Sequence, residues 1–274
     1  MSMEGFHAVP DPSVGDWLPP RLSGAFGAVG RTVPRGYAAY ARVLHPVNPE
    51  PATEPTTWAG VCARTGRTAH ALMQWESITT PAPGTVGLPL SGEGRWDEVQ
   101  VERGCLAPQA LSPLLDVLAP FTADHDGQQA CHHALWDGWG WLIGGNTLVV
   151  AFHDGPGPRP PAPMWTELPE VVQDALNAPR LSLPGREHLL FTGPLHAALS
   201  MGDQVTDDWF LPQSPNLLWP ADRSWCLASE IDFGSTLVGG PAELIAAVLA
   251  TPGLEAWPIG EDDDLSAFAD HLNT

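Results

Sequence analysis

The chain contains no lysine; all twelve of its basic side chains are arginine. That absence excludes every chemistry built on a lysine amine: the Schiff-base nucleophile, the pyridoxal-phosphate anchor, the P-loop lysine and the kinase ATP lysine. Positive charge is scarce altogether. Thirty-two acidic residues against twelve arginines leave a formal charge of −20 and a pI near 4.6. A surface of that sign repels phosphate backbones, so no nucleic-acid partner is expected. No apolar run approaches the roughly 18 residues of a membrane span, so no membrane partner is expected. Met1 to Trp17 lacks the basic and apolar regions of a signal peptide, and the expected location is the cytoplasm. The four cysteines, Cys62, Cys105, Cys131 and Cys226, are scattered and form no CxxC pair. They read as reduced thiols filling a core, with no metal and no cofactor expected.

What is present is a Gly- and Pro-rich chain of 274 residues with 43% hydrophobic content and twelve tryptophans. The core is sufficient for folding, and the 28 glycines and 30 prolines imply many turns and short elements. The lysine-free composition also looks like the product of a GC-rich bacterial genome. The chemical exclusions hold whatever removed the lysine.

Met1 to Pro34 has no clean period and reads as an irregular arm lying on the body. Tyr37 to His45 reads as a strand closed by Pro46. Thr57 is placed to cap a helix over Trp58 to Thr65, which Gly66 stops. Leu72 to Ile78 fits either period. Val47 to Pro55, Thr79 to Gly94 and Gly155 to Pro163 read as Pro-rich loops. Leu111, Leu114, Leu115 and Leu118 have helical spacing, but Pro113 interrupts them, so the helix is expected to start there with Ser112 as cap. Ala130 to Leu142 and Thr147 to His153 read as two strands joined by a hairpin over residues 143–146. A helix over Pro169 to Leu176, a strand over Glu187 to Thr192 and a helix over Pro194 to Met201 follow. Ser224 to Phe233 alternates, with Trp225, Leu227, Ile231 and Phe233 on one face and Cys226, Ala228, Glu230 and Asp232 on the other. Gly239-Gly240 reads as a turn into a helix opened by Pro241, Leu254 to Ile259 as a returning strand, and Glu261 to Asp264 as a solvated acidic tail. These elements predict an α+β fold, a mixed or mainly antiparallel sheet with helices packed on one face. Residues 1–274 are expected as one module, with a division into 1–154 and 164–274 at the Pro-rich connection as the alternative.

Several constellations are candidates for function. Trp136-Asp137-Gly138-Trp139-Gly140-Trp141 can form a flat aromatic wall for a ligand or partner, or a hairpin arm packed on both faces. Trp219 and Arg223 extend that binding candidate, with Arg223 either paired to Asp222 or offered to an anion. Glu230 and Asp232, two apart on a strand, point the same way. That suits a shared general-acid/base site, and equally an ordinary solvent face. His196, in the first turn of its helix, is the candidate base to join them, and a Cys226–His196 pair is conceivable. His125, Asp126 and one of His132 and His133 could be read as metal ligands. However, adjacent histidines on a strand face opposite sides, and the spacing matches no zinc signature. Asp124 to Gly127 echoes the start of a calcium loop but lacks the later ligands.

The stretch Leu218 to Asp232 (LWPADRSWCLASEID), continuing to Val238-Gly239-Gly240, resembles a signature shared by a group of uncharacterised proteins from GC-rich bacteria. The segments Ala41 to Pro46 and Leu135 to Gly140 belong to the same resemblance, which implies one coherent module and carries no activity. An analogy of composition and class points to the immunity proteins of bacterial toxin systems, which are likewise acidic, Trp-bearing α+β proteins. The functional expectation is therefore an acidic cytosolic binding protein that engages a basic protein partner, in its most specific form by neutralising a toxin. The alternative is a hydrolase of undescribed type using Glu230, Asp232 and His196, with or without a metal.

Overall fold

The computed structural model describes residues 2–47, 57–80, 101–123, 130–144, 168–206 and 208–274. The expected readings at residues 48–56, 81–94, 124–127, 147–153 and 155–163 lie outside them. In chain order the elements are β1 (His7–Ala8), α1 (Val29–Thr32), β2 (Ala39–Leu44), α2 (Trp58–Thr65), α3 (Trp75–Thr79), α4 (Pro108–Leu118) and β3 (Ala130–Trp136). There follow α5 (Gly140–Gly144), α6 (Glu170–Asn177), β4 (Leu181–Leu183), β5 (Arg186–Pro194), β6 (Gly202–Thr206), β7 (Trp209–Pro212), β8 (Leu217–Pro220), β9 (Cys226–Ala228), β10 (Ser235–Gly240), α7 (Ala242–Leu249) and β11 (Ala256–Ile259). Short 3₁₀ turns punctuate them, among them Leu195–Ser200.

The fold is α+β around a nine-stranded sheet in the order β1-β5-β3-β8-β9-β10-β2-β11, with β4 also on β5. Every pairing in it is antiparallel. Strands from the two sides of the Pro-rich connection interleave, for β3 lies between β5 and β8, and β2 between β10 and β11. The strand–helix–strand unit at the C-terminal end runs β10–α7–β11. Both strands pair with β2, so the helix crosses over it.

One face of the sheet carries Ala41, Val43, Cys131, Leu218, Leu227 and Val238, and is covered by the leucine stripe of α4 and by Leu244, Ile245 and Val248 of α7. The opposite face is covered by the N-terminal arm, whose Leu18, Leu22, Val29 and Val33 meet Trp219, Cys226, Ala228 and Leu237. At the β2 end of the sheet, α2 and α3 close over Leu44 with Trp58, Val61 and Ile78. The arm is thus a second layer of the fold, and the central strands are buried on both sides.

Local signals placed α2 well. Thr57 accepts the N–H of Gly60 at 3.0 Å, and Gly66 ends the helix in the left-handed region at φ 70°. Helix α4 departs from expectation by starting at Pro108 and carrying Pro113 inside it. An internal proline costs about 3 kcal/mol. Burial of Leu111, Leu114, Leu115 and Leu118 at roughly 1.5–3 kcal/mol each exceeds that cost. The expected strand to Leu142 stops at Trp136, where pairing with β5 runs out at His188, and the chain turns into α5. The expected ten-residue strand from Ser224 is only β9, because both its faces are covered and Phe233 N–H closes a turn on Glu230 O at 3.0 Å. Gly239 and Gly240 sit within β10 and make no turn. A Cβ on Gly240 would lie 2.8 Å from Leu244 Cδ2, so that glycine admits α7 to the sheet. The acidic segment is pinned to the body while its Asp262 and Asp264 side chains stay exposed. Glu261 accepts the Gly36 N–H and the Tyr40 hydroxyl, Arg35 pairs with Glu261 and Asp262, and Val29 N–H donates to Asp263 O.

Candidate functional site

The β9–β10 connection positions the two carboxylates singled out in the sequence. Glu230 and Asp232 do converge, from a turn rather than from a strand face, and they converge on a cation. Arg186 Nη2 lies 2.7 Å from Glu230 Oε1 and 3.0 Å from Asp232 Oδ2, with its guanidinium 5.4 Å from the Trp136 ring centre. Gly104 holds the turn from behind. Its N–H donates to Phe233 O at 3.0 Å, and a Cβ there would stand 2.6 Å from Ile231 Cα. The result is an arginine-clamped turn that fixes the backbone presenting Phe233.

His196 does not join this cluster. It follows β5, whose other end carries Arg186, so the two lie about nine residues apart along the strand direction, on the order of 25–30 Å. His196 Nε2 instead faces Asp116 Oδ1 at 3.0 Å, on the surface beside α4. The segment expected as a helix there is a 3₁₀ turn, Leu195–Ser200. Cys226, expected on an accessible strand face, is fully buried against the N-terminal arm, and burial raises its thiol pKa strongly, so it forms no pair with His196. The three residues of the hydrolase reading are not one site.

The tryptophans also sit otherwise than a free binding patch requires. Trp219 is 0% exposed, edge-on to Trp17 at 6.1 Å and against His132 at 5.5 Å. Trp136 and Trp139 meet edge to face at 5.7 Å, and the Trp139 indole N–H donates to Asn216 Oδ1 at 2.9 Å. Trp139 and Trp141 pack against the core formed by Phe6, Leu135 and Phe191. Arg223, at φ 60°, lays its guanidinium over Trp17 at 5.5 Å, while Asp222 accepts the Ser224 N–H at 3.0 Å. Each closes the turn before β9 on its own.

His132 and His133 point to opposite faces, as adjacent strand residues must. His133 lies edge-on to Phe6 at 4.8 Å, fully buried, with the carbonyls of Gly193 and Pro194 nearby but no hydrogen bond of normal geometry. Desolvation lowers its pKa to about 3, leaving a neutral ring inside the core. Among the described residues no group of three His, Cys, Asp or Glu side chains is placed to hold a metal ion.

One aromatic-walled concavity was not singled out in the sequence. A cleft of about 540 Å³ opens between α3, the β9–β10 turn and the segment after β11. Trp58, Trp75 and Phe233 wall it, and Phe26 and Phe268 flank it at 60% and 87% exposure. Glu76, Arg103 and Asp232 stand at its polar edge, with Arg103 paired to Glu76. The floor is Arg42, only 2% exposed, in the middle of β2. Its Nε donates to Ser235 Oγ at 3.0 Å, and its Nη1 to the carbonyls of Ala71 and Met73, each at 2.9 Å. Its Cζ lies 5.5 Å from the Trp58 ring centre. Desolvation lowers its pKa to about 10, so it remains a cation at neutral pH. The available signal was a charged residue inside an otherwise apolar strand (AYARVL). Nothing local marks Phe26 and Phe268, which lie in irregular segments. No protein-family model, no curated protein and no solved structure matches the chain.

Proposed function

We propose that the protein is a binding protein for a basic protein partner, and that the aromatic cleft is where the partner docks. The observation that carries this reading is the placement of Phe26 and Phe268. Both are large exposed apolar side chains, and both flank the same cleft. Exposed aromatics gathered at one concavity are the usual anchors of an interface. Asp262 and Asp264 are exposed just before the cleft-lining Leu265 and Phe268, within a chain of net charge −20. Charge of that sign speeds encounter with a basic surface and rejects acidic ones, while the aromatics supply residence time. Neutralising a basic toxin is the most specific form of this function.

The test is retention of basic proteins on immobilised wild-type chain and on a Phe26→Ser, Phe268→Ser double variant, at low and high salt. A basic protein held by the wild type, released by salt and held at least about tenfold more weakly by the variant supports the reading. Equal retention by both proteins sinks it.

A further inference from the structure

We infer that the cleft receives the carboxyl terminus of the partner chain: an apolar last residue seated among the aromatic walls, its free carboxylate on Arg42 Nη2, with basic residues preceding it over the acidic surface of the chain. This rests on the proposed basic-partner reading and specifies what enters the cleft.

Three observations converge on it. First, Arg42 is a buried cation that no carboxylate contacts directly among the described residues. A guanidinium has five N–H donors. Three are used, by Ser235, Ala71 and Met73, and the two on Nη2 have no partner among the described residues. The carboxylates acting on Arg42 through space are Asp270 and Glu255. Both are committed elsewhere. Asp270 accepts from the Gln74 N–H, from the Leu272 and Asn273 N–H groups and from the Asn273 amide, and it faces His70 Nε2. Glu255 accepts the N–H groups of Trp58 and Ala59 at the start of α2. A buried charge left in this state calls for an anion, and a planar guanidinium edge calls for a planar carboxylate.

Second, the cleft that Arg42 floors has aromatic walls. Trp58 and Phe233 line it, so the group attached to the carboxylate is a hydrocarbon or aromatic one. Third, the chain as a whole carries a charge of −20, and Asp264 is exposed just before the segment that lines the cleft, while the carboxylates of the edge itself are paired, Glu76 with Arg103 and Asp232 with Arg186. A small free carboxylate must approach against that field. A carboxylate carried at the end of a basic segment approaches with it. An apolar, carboxyl-terminal residue behind basic residues is the chemistry that satisfies the floor, the walls and the overall charge together.

The experiment is calorimetric titration of the full chain with three probes: the hexapeptide KRKGLF with a free carboxyl terminus, the same peptide as its C-terminal amide, and 3-phenylpropionate. The free-acid peptide is expected to bind at least about tenfold more tightly than the amide. It should also exceed 3-phenylpropionate by at least about tenfold, an advantage that fades with salt. Arg42→Gln should abolish the acid-over-amide preference. Phe268→Ser leaves Arg42 in place and should weaken acid and amide alike. The central comparison uses wild-type protein, so a folding defect in Arg42→Gln does not remove the test. Equal, salt-sensitive binding of acid and amide overturns the chain-end assignment while leaving the basic-partner reading standing. Binding of 3-phenylpropionate as tight as the peptide overturns both, making the cleft a small-carboxylate site. No binding of either peptide overturns the assignment as well.

Discussion

Among the described residues three histidines are buried in neutral form, and together they predict where the fold fails on acidification. His45 bridges Glu102 O at 2.6 Å and Thr236 Oγ1 at 2.9 Å, and desolvation brings its pKa to about 4. Desolvation likewise brings His188 to about 4 and His133 to about 3. In the unfolded chain each titrates near 6.5. The folded values lie below the unfolded one, so the unfolded state binds more protons between about pH 6.5 and 4. The stability these groups contribute is complete above pH 6.5 and is lost as pH falls toward 4. Each proton changes the free energy of unfolding by about 1.4 kcal/mol per pH unit. Near pH 5 the difference approaches three protons, giving a slope of about 4 kcal/mol per unit and a total loss on the order of 10 kcal/mol. That is comparable with the whole stability of an ordinary domain, about 5–15 kcal/mol. Burial raises the carboxyl pKa of Glu102 and Glu255, and self-repulsion fades as the pH approaches the pI. Both effects offset part of the loss. The assay is urea unfolding followed by tryptophan fluorescence at pH 8, 7, 6 and 5. The midpoint is expected to be level from pH 8 to 7 and to fall steeply from 6 to 5, with His45→Gln removing about a third of the slope. An unchanged midpoint between pH 7 and 5 would refute the reasoning.

Two further outcomes follow from packing alone. Gly104→Ala must place an L-residue at φ 71° with its Cβ 2.6 Å from Ile231 Cα, whereas Gly253→Ala, at φ 84°, meets nothing within 4 Å. Chemical denaturation should therefore show a loss of about 1 kcal/mol for Gly253→Ala and roughly 2–4 kcal/mol for Gly104→Ala, and equal losses would remove the close approach as the cause. All four cysteines are free and buried, and desolvation pushes Cys62 and Cys105 up to about 11 and Cys131 up to about 12. A disulfide-exchange thiol reagent should label none of them in the native protein and four after unfolding in urea, and rapid native labelling of any one would contradict the placement of that residue.

What could be read from the sequence was local. Thr57, Gly66 and the four leucines of α4 announce their helices within a single turn or stripe, and the structure keeps them. What could not be read depended on partners far along the chain. The alternation from Ser224 to Phe233 looks like a strand with one wet face. Cys226 and Ala228 are small because the arm around Leu18 and Leu22, some 200 residues earlier, lies on them. Glu230 and Asp232 share a direction for a reason absent from their spacing, namely Arg186 at the start of β5. Trp219 reads as a binding residue by type and is core by position.

Arg42 is the clearest case, because its role is visible only against the charge balance of the whole chain. With 32 acidic residues for twelve arginines, a carboxylate partner is easily found. Arg35, Arg103, Arg180 and Arg186 each have one, though all are more exposed than Arg42 and gain less from pairing. Among the described residues, the arginine that most needs an anion is left without one, at the floor of the aromatic cleft, while Asp270 and Glu255 nearby are engaged by backbone N–H groups. Scarcity of carboxylates cannot produce that arrangement in an acidic chain. A cation kept buried, hydrogen-bonded on three donors and, among the described residues, open on two fits the anion from outside that we propose.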